Sequence, residues 1–231
     1  MVLRWRWVVV AGLALVLVAC GGGGTGVREL EPAPDEGPMT DTAIARTIVL
    51  EEADMPRGWR GAAHTEDPNE RARARQLSAC LGRPDPETTR TAIVHGPDLS
   101  MERSQVSSIA TVLNTAEDAR AGLAAVRGPK YDECVMAAFT EDLERQVPEA
   151  TVQDALTEPL PVQTFGDASV GIRLTASLVY PDHTDKLFAD LVYITKDRAT
   201  VSITFFSFNQ PFSPALQQSL ISRVGHRIAT A

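Results

Sequence analysis

Four histidines, one glycine-flanked serine and three cysteines are the side chains of this 231-residue sequence whose chemistry could go beyond packing. His64, His95, His183 and His226 are scattered along the chain. Only His183 has carboxylates beside it, in Pro181-Asp182-His183-Thr184-Asp185. A catalytic or metal role there would need partners converging from elsewhere, and a hairpin loop accounts for the cluster better. Gly166-Asp167-Ala168-Ser169-Val170-Gly171 superficially has the form of a serine nucleophile turn. The G-x-S-x-G elbow needs glycine two residues before the serine, where Ser169 has Asp167, so a turn feeding a strand is expected. Arg71 and Arg75 lie four apart and can share a helix face, with Arg73 pointing elsewhere; all three are expected to be solvated. No phosphate loop or dinucleotide glycine fingerprint occurs. No catalytic residue is assigned, and the chain is not expected to be an enzyme.

The cysteines carry more information. Cys20 closes the run Leu17-Val18-Ala19-Cys20, which follows a positive front (Arg4, Arg6) and an apolar stretch from Val8 to Ala19 interrupted only by Gly12. That stretch has the length of a signal-peptide core and falls short of the roughly 20 residues a spanning helix needs. The end of the run matches the lipobox of bacterial lipoproteins: a branched apolar residue, small residues, then the cysteine. The match implies a diacylglycerol on the Cys20 sulfur and cleavage just before it, with residues 1–19 as signal peptide. An ordinary secretory site would carry small residues one and three before the cut. Ala19 fits the first position and Leu17 does not fit the second. Residues 20–39, with Gly21 to Gly24 and an acidic, proline-bearing stretch to Pro38, have the composition of a flexible tether. Two acyl chains anchor firmly, since each buried methylene contributes roughly 0.8 kcal/mol.

Cys80 and Cys134 remain. An even pair in an exported domain reads as a disulfide closing a loop of roughly 55 residues, for which loop-closure entropy gives about 4 kcal/mol. The alternative is two free buried thiols, or one reactive thiol. The pair lacks the C-x-x-C or H-x-x-x-H spacing that zinc favours, so no metal site is expected. No cofactor is expected either. The net charge is −8, or −10 without Arg4 and Arg6. That acidity argues against nucleic acid and against broad adhesion to anionic lipid, which need a basic patch.

The remaining residues, 40–231, form one domain of ordinary size. Thr40 or Asp41 caps a helix expected to run to about Ala53, ended by Met55-Pro56-Arg57-Gly58-Trp59. A short strand from Trp59 to His64 and a helix from Asn69 to Leu81 follow. Arg83 to Ser100, punctuated by Pro84, Pro86, Gly96 and Pro97, reads mainly as loop, with a short strand at Thr91 to Val94. Arg103 to Leu113 reads as a strand. Thr115-Ala116-Glu117-Asp118 resembles a capping box opening a helix to Arg127, and Pro129 suits the first turn of the next helix. Period-two alternation marks strands from Ala168 to Tyr180, Leu187 to Thr195 and Ala199 to Phe208. Leu216, Leu220, Val224 and Ile228 recur every four residues on a closing helix. Half-polar strands with amphipathic helices make an α+β fold, an antiparallel sheet with helices packed on it. Alternation sends Phe206 and Phe208 to the side opposite Phe205. If helices cover only one face, one set lines an apolar groove for a lipid-like ligand; otherwise the group is core on both sides.

The order of these features resembles the actinobacterial PknH-like extracellular sensor domains and the related LpqN-type lipoproteins. The residues that carry the likeness begin with the helix ending in Ala53-Asp54-Met55-Pro56-Arg57-Gly58-Trp59 and the helix bearing Cys80. They continue through the strand Val106 to Leu113, the helix start Ala116-Glu117-Asp118-Ala119, and Cys134. Gly166-Asp167 before a long strand, the hairpin Leu191 to Ile203 and the closing helix complete them. The resemblance implies a PsbP-like sandwich, a disulfide, and a cleft that holds a ligand. The kinase-borne version has two disulfides and this chain can form one. The chain carries no kinase domain, so no fused catalytic domain is expected to relay a signal. No ligand-contacting residue of the family can be matched.

The expectation for function is a non-catalytic binding or sensor-like module, lipid-anchored at the extracytoplasmic face of the cell membrane. Its partners would be the membrane through Cys20 and an apolar or cell-wall ligand or envelope protein. The alternatives are an envelope assembly partner and, third, a hydrolase of unrecognised type.

Overall fold

In the computed structural model, the described residues are 39–65, 67 and 69–231. The signal peptide, Cys20 and all of the tether but Met39 lie outside them. The alternating segments of the last third build the middle of the fold. Strands β6 (Ala168–Val179), β7 (Thr184–Lys196) and β8 (Ala199–Phe208) pair antiparallel in succession. Strand β4 (Ser104–Leu113) pairs with the far side of β8, so the hairpins zip onto a strand almost 90 residues earlier. Short strands β1 (Arg60–Ala62), β2 (Arg90–His95) and β3 (Asp98–Met101) finish one edge, and β5 (Thr151–Pro159) the other. The sheet has eight strands in the order β1-β3-β4-β8-β7-β6-β5, with β2 also on β4.

Helices cover both faces, so the alternation does not divide core from solvent. On one face lie α1 (Asp41–Ile48) and α6 (Pro214–Thr230). Their Ala45, Ile48, Leu220, Ile221, Val224 and Ile228 join Val106, Ala110, Val201, Ile203 and Phe205 in the larger core. Gly225 is the closest approach. A Cβ there would come within 2.3 Å of the Phe165 ring, so only glycine lets α6 lie this low. On the other face lie α4 (Ala116–Val126) and α5 (Tyr131–Gln146), whose Val126, Tyr131 and Val135 pack with Ile172, Leu174, Ala189 and Phe206. Phe206 thus belongs to the core of the second face, Phe205 to that of the first, and Phe208 lies under the Arg103 guanidinium at 5.5 Å. The phenylalanines form no ligand groove, because both sheet faces are occupied by protein.

One charged row crosses the larger core. Arg173, Asp190 and Phe205 are register partners on β6, β7 and β8. Asp190 is 1% exposed. It accepts from Arg173 Nε and Nη2 at 2.6 and 2.7 Å and from Gln217 Nε2 of α6 at 2.8 Å. Burial of a carboxylate is tolerated here because every strong donor it needs is supplied.

Two expectations of helix and loop are corrected. The first helix stops at Ile48, not near Ala53, because Val49 and Leu50 are extended and buried. Leu50 N donates to Ser108 Oγ at 2.9 Å and Val49 O accepts from Arg227 at 2.9 Å, so tertiary partners replace helical ones. A 3-10 turn at Glu52–Asp54 follows. The segment expected to be mainly loop holds α3 (Pro86–Thr89), β2 and β3, since pairing with β4 supplies what local propensity lacks. Pro129 precedes α5 instead of lying in its first turn. The capping expectation for α4 holds: Thr115 Oγ1 accepts from Asp118 N at 3.0 Å.

Helix α2 (Glu70–Cys80) is unlike the other long helices, for none of its residues is buried, a trait only the four-residue α3 shares among the described helices. Cys80 at its end is bonded to Cys134 of α5, with Cα atoms 5.9 Å apart. The expected disulfide is thus formed. Among the described residues no helix is long and apolar enough to cross a membrane.

Candidate functional site

Helix α4 does not seal the second face. Between it, the 83–89 segment and strands β4, β8 and β7 lies a cleft of about 300 Å³. Its floor is the polar half of the strands: Thr111, Thr195, Thr200 and Ser202, with Tyr193 beside them. Leu123, Val126 and Ile109 make apolar walls, and Arg83 stands at the side, donating from Nη2 to Asp118 O at 3.4 Å. Gly122 faces this space, where an added Cβ would meet only Arg83 Nη2, at 3.9 Å. The Tyr193 hydroxyl bonds that of Tyr131 at 2.8 Å, and burial pushes both phenols above their ordinary range. They stay neutral and act as hydrogen-bonding groups. A smaller hollow of about 230 Å³, between the α4–α5 junction and β5–β6, shares Val126 with the cleft.

A second polar constellation lies where β1, α2, β2 and β3 meet. His64 follows β1, Glu70 opens α2, His95 ends β2 and Asp98 opens β3. The two imidazoles stack, centroids 4.3 Å apart and planes 10° from parallel. His64 Nε2 lies 3.3 Å from Glu70 Oε2, and His64 Nδ1 lies 3.4 Å from Asp98 Oδ2. His95 Nδ1 lies 3.7 Å from Glu70 Oε1. Sequence reading missed this group. His64 and His95 are separated by α2, α3 and most of β2, and no local spacing announces them.

The other residues singled out by type resolve into structure. Ser169 Oγ accepts from Phe165 N at 2.9 Å and bonds back to Phe165 O at 3.2 Å, tightening the turn before β6. His183 stacks on Tyr180 and bonds Asp182 at 2.7 Å in the exposed β6–β7 connection, as a hairpin loop should. Asp185 pairs with Arg103 at 2.7 Å and lies farther, 3.8 Å, from His183 Nε2. Arg73 departs from the expectation of full solvation: it lies 2.7 Å from Asp67 and 3.6 Å from Asp142, half-buried between α2 and α5. Arg75 Nε donates back to Arg71 O at 3.4 Å along the helix. His226 packs edge-on against Phe165.

No protein-family model and no curated protein sequence matches this chain. Solved structures do. The extracellular domain of PknH from Mycobacterium tuberculosis is 10% identical, with a TM-score of 0.45, covering 84% of this chain and 99% of that one. An uncharacterised Mycobacterium smegmatis protein is 11% identical at a TM-score of 0.40, covering 80% and 98%. LpqN of M. tuberculosis, described as involved in cell envelope biogenesis, is 10% identical at 0.30, covering 79% and 87%. The PknH domain and LpqN are of the two kinds the order of sequence features resembles. At such identities and scores the likeness says nothing of what the chain binds.

Proposed function

We propose that this protein is a non-catalytic ligand-binding module, held by lipid on Cys20 at the extracytoplasmic face of the cell membrane. The cleft under α4 is the observation that carries the binding role. It offers hydroxyls, apolar walls and one guanidinium, and among the described residues no carboxylate, imidazole or thiol lines it. Such a lining can hold a ligand with an apolar body and a polar or anionic end, but supplies no acid–base pair to transform it. The Cys80–Cys134 disulfide supports the location, since such bonds persist in oxidising compartments. Exposed large apolar side chains among the described residues are Met39, Met101 and Leu156, the last two at opposite edges of the sheet. They form no shared patch of the kind an assembly partner would present.

The test is native extraction of the full chain from membranes, followed by mass spectrometry of co-purifying molecules and of the N-terminal peptide. The expected result is a diacylglyceryl-Cys20 peptide and a small amphipathic ligand that Gly122→Leu, which fills the cleft, abolishes without unfolding the chain. A ligand retained at full occupancy by Gly122→Leu would refute the cleft. A Cys20→Ala chain that stays processed and in the membrane fraction would refute the anchor.

A further inference from the structure

We propose that His64, Glu70 and His95 bind one first-row divalent transition ion, with Zn2+ the best fit, and that the ion fastens the free end of α2 to the sheet. The three side chains each bring one ligand atom within 4.8 Å of the other two. Two zinc bonds of about 2.0–2.1 Å meeting at a tetrahedral angle place their ligand atoms roughly 3.3–3.4 Å apart. His64 Nε2 lies 3.3 Å from Glu70 Oε2 and His95 Nδ1 lies 3.7 Å from Glu70 Oε1, so each carboxylate oxygen faces one imidazole; the rings, now stacked 10° from parallel, turn on binding so that both lone pairs converge on the ion. Asp98, 3.4 Å from the other ring nitrogen of His64, is placed to accept an Nδ1 proton and so leave the Nε2 lone pair for the ion. Zinc histidines almost always have such an outer carboxylate or carbonyl partner. Two imidazoles and one carboxylate favour zinc-like ions over magnesium or calcium, which take oxygen ligands. The side chains of His64, Glu70 and His95 are 24%, 27% and 23% exposed, so the group lies near the surface although the His95 Nδ1 atom itself is covered.

The site has a structural consequence because of where Glu70 lies. Helix α2 buries no residue, so packing holds it weakly. The disulfide fixes its last residue, Cys80, to α5. Glu70 is its first. An ion shared with His64 and His95 ties that end to the β1 and β2 side of the sheet, and the helix becomes fastened at both termini.

The experiment uses the untagged full chain in detergent, with its disulfide intact and metal removed by chelator, titrated calorimetrically with ZnCl2. One Zn2+ per chain is expected. His64→Gln and His95→Gln lose measurable binding, Glu70→Gln (a change at the half-buried start of α2) does the same, and Asp98→Asn weakens it roughly 10- to 100-fold. His183→Gln, in the β6–β7 connection, leaves it unchanged. Hydrogen exchange supplies the second readout: Zn2+ slows exchange across Glu70–Cys80 in the parent chain and not in His95→Gln. Absence of binding, or binding unaltered in both histidine variants, overturns the site. Binding at the site with no slowing in α2 overturns its fastening role.

Discussion

Consider the Cys80→Ser/Cys134→Ser chain. The bond spans 54 positions, so in the unfolded state it closes a loop that holds β2, β3, β4, α4 and the start of α5. The loop-closure relation gives an entropy near 14 cal/mol/K for that length, or about 4 kcal/mol at 25 °C. Against a total stability on the order of 5–15 kcal/mol, that is a large fraction. The assay is urea unfolding followed by tryptophan fluorescence. Trp59 is the single tryptophan outside residues 1–19, and it is buried against Phe212. With a slope of about 2–3 kcal/mol/M, the midpoint should fall by roughly 1.3–2 M. The slope itself should rise, since the untethered chain unfolds further. Dithiothreitol on the parent chain should reproduce the shift, because Cys80 is exposed. A loss below about 1 kcal/mol with an unchanged slope would refute the reasoning. It would mean that α2, which buries nothing, lets go in the folded state and releases the same entropy there.

Two further outcomes follow from charged contacts. Asp190→Ala leaves the Arg173 guanidinium without its buried counter-ion and should cost about 3–5 kcal/mol in urea unfolding, whereas Arg173→Met/Asp190→Leu/Gln217→Leu should recover most of it; a cost under about 1 kcal/mol for the single change would show the row is not a constraint. Asp41 accepts from Arg198 at 2.6 Å and from Thr91 at 2.5 Å, contacts that hold its carboxyl below the ordinary aspartate value of about 3.9. Its stabilisation is therefore present above that value and lost as pH falls through the lowered one. Melting curves from pH 2 to 6 should show Asp41→Asn below the parent at the upper end and level with it at the lower; a constant gap would contradict the assignment.

Much of this architecture is legible along the chain, and the limits of that legibility have physical causes. Period-two alternation located β6, β7 and β8 because side chains on a strand point to opposite faces whatever lies beyond them. The closing helix declared itself by its four-residue spacing, α4 by its capping threonine, and the disulfide by an even cysteine pair in a chain whose start reads as an export signal. Alternation could not say what covers the polar face. Thr111, Thr200 and Ser202 look like solvent-facing positions in sequence, and only the placement of α4 above them makes them the floor of a cleft. Strand β5 had no usable signal: mostly exposed and bulged around Asp154, it is a strand because β6 offers it an unpaired edge. Val49 and Leu50 leave the helix for partners 58 and 178 positions away. The His64–Glu70–His95 group is the clearest case. Three side chains from separate elements meet only once β2 and β3 have docked one after the other along the same edge of β4, with β1 on β3. Residue types and short-range periods act through the local backbone and can be read from order alone; convergence across the sheet depends on register between distant strands, which no short stretch of sequence contains.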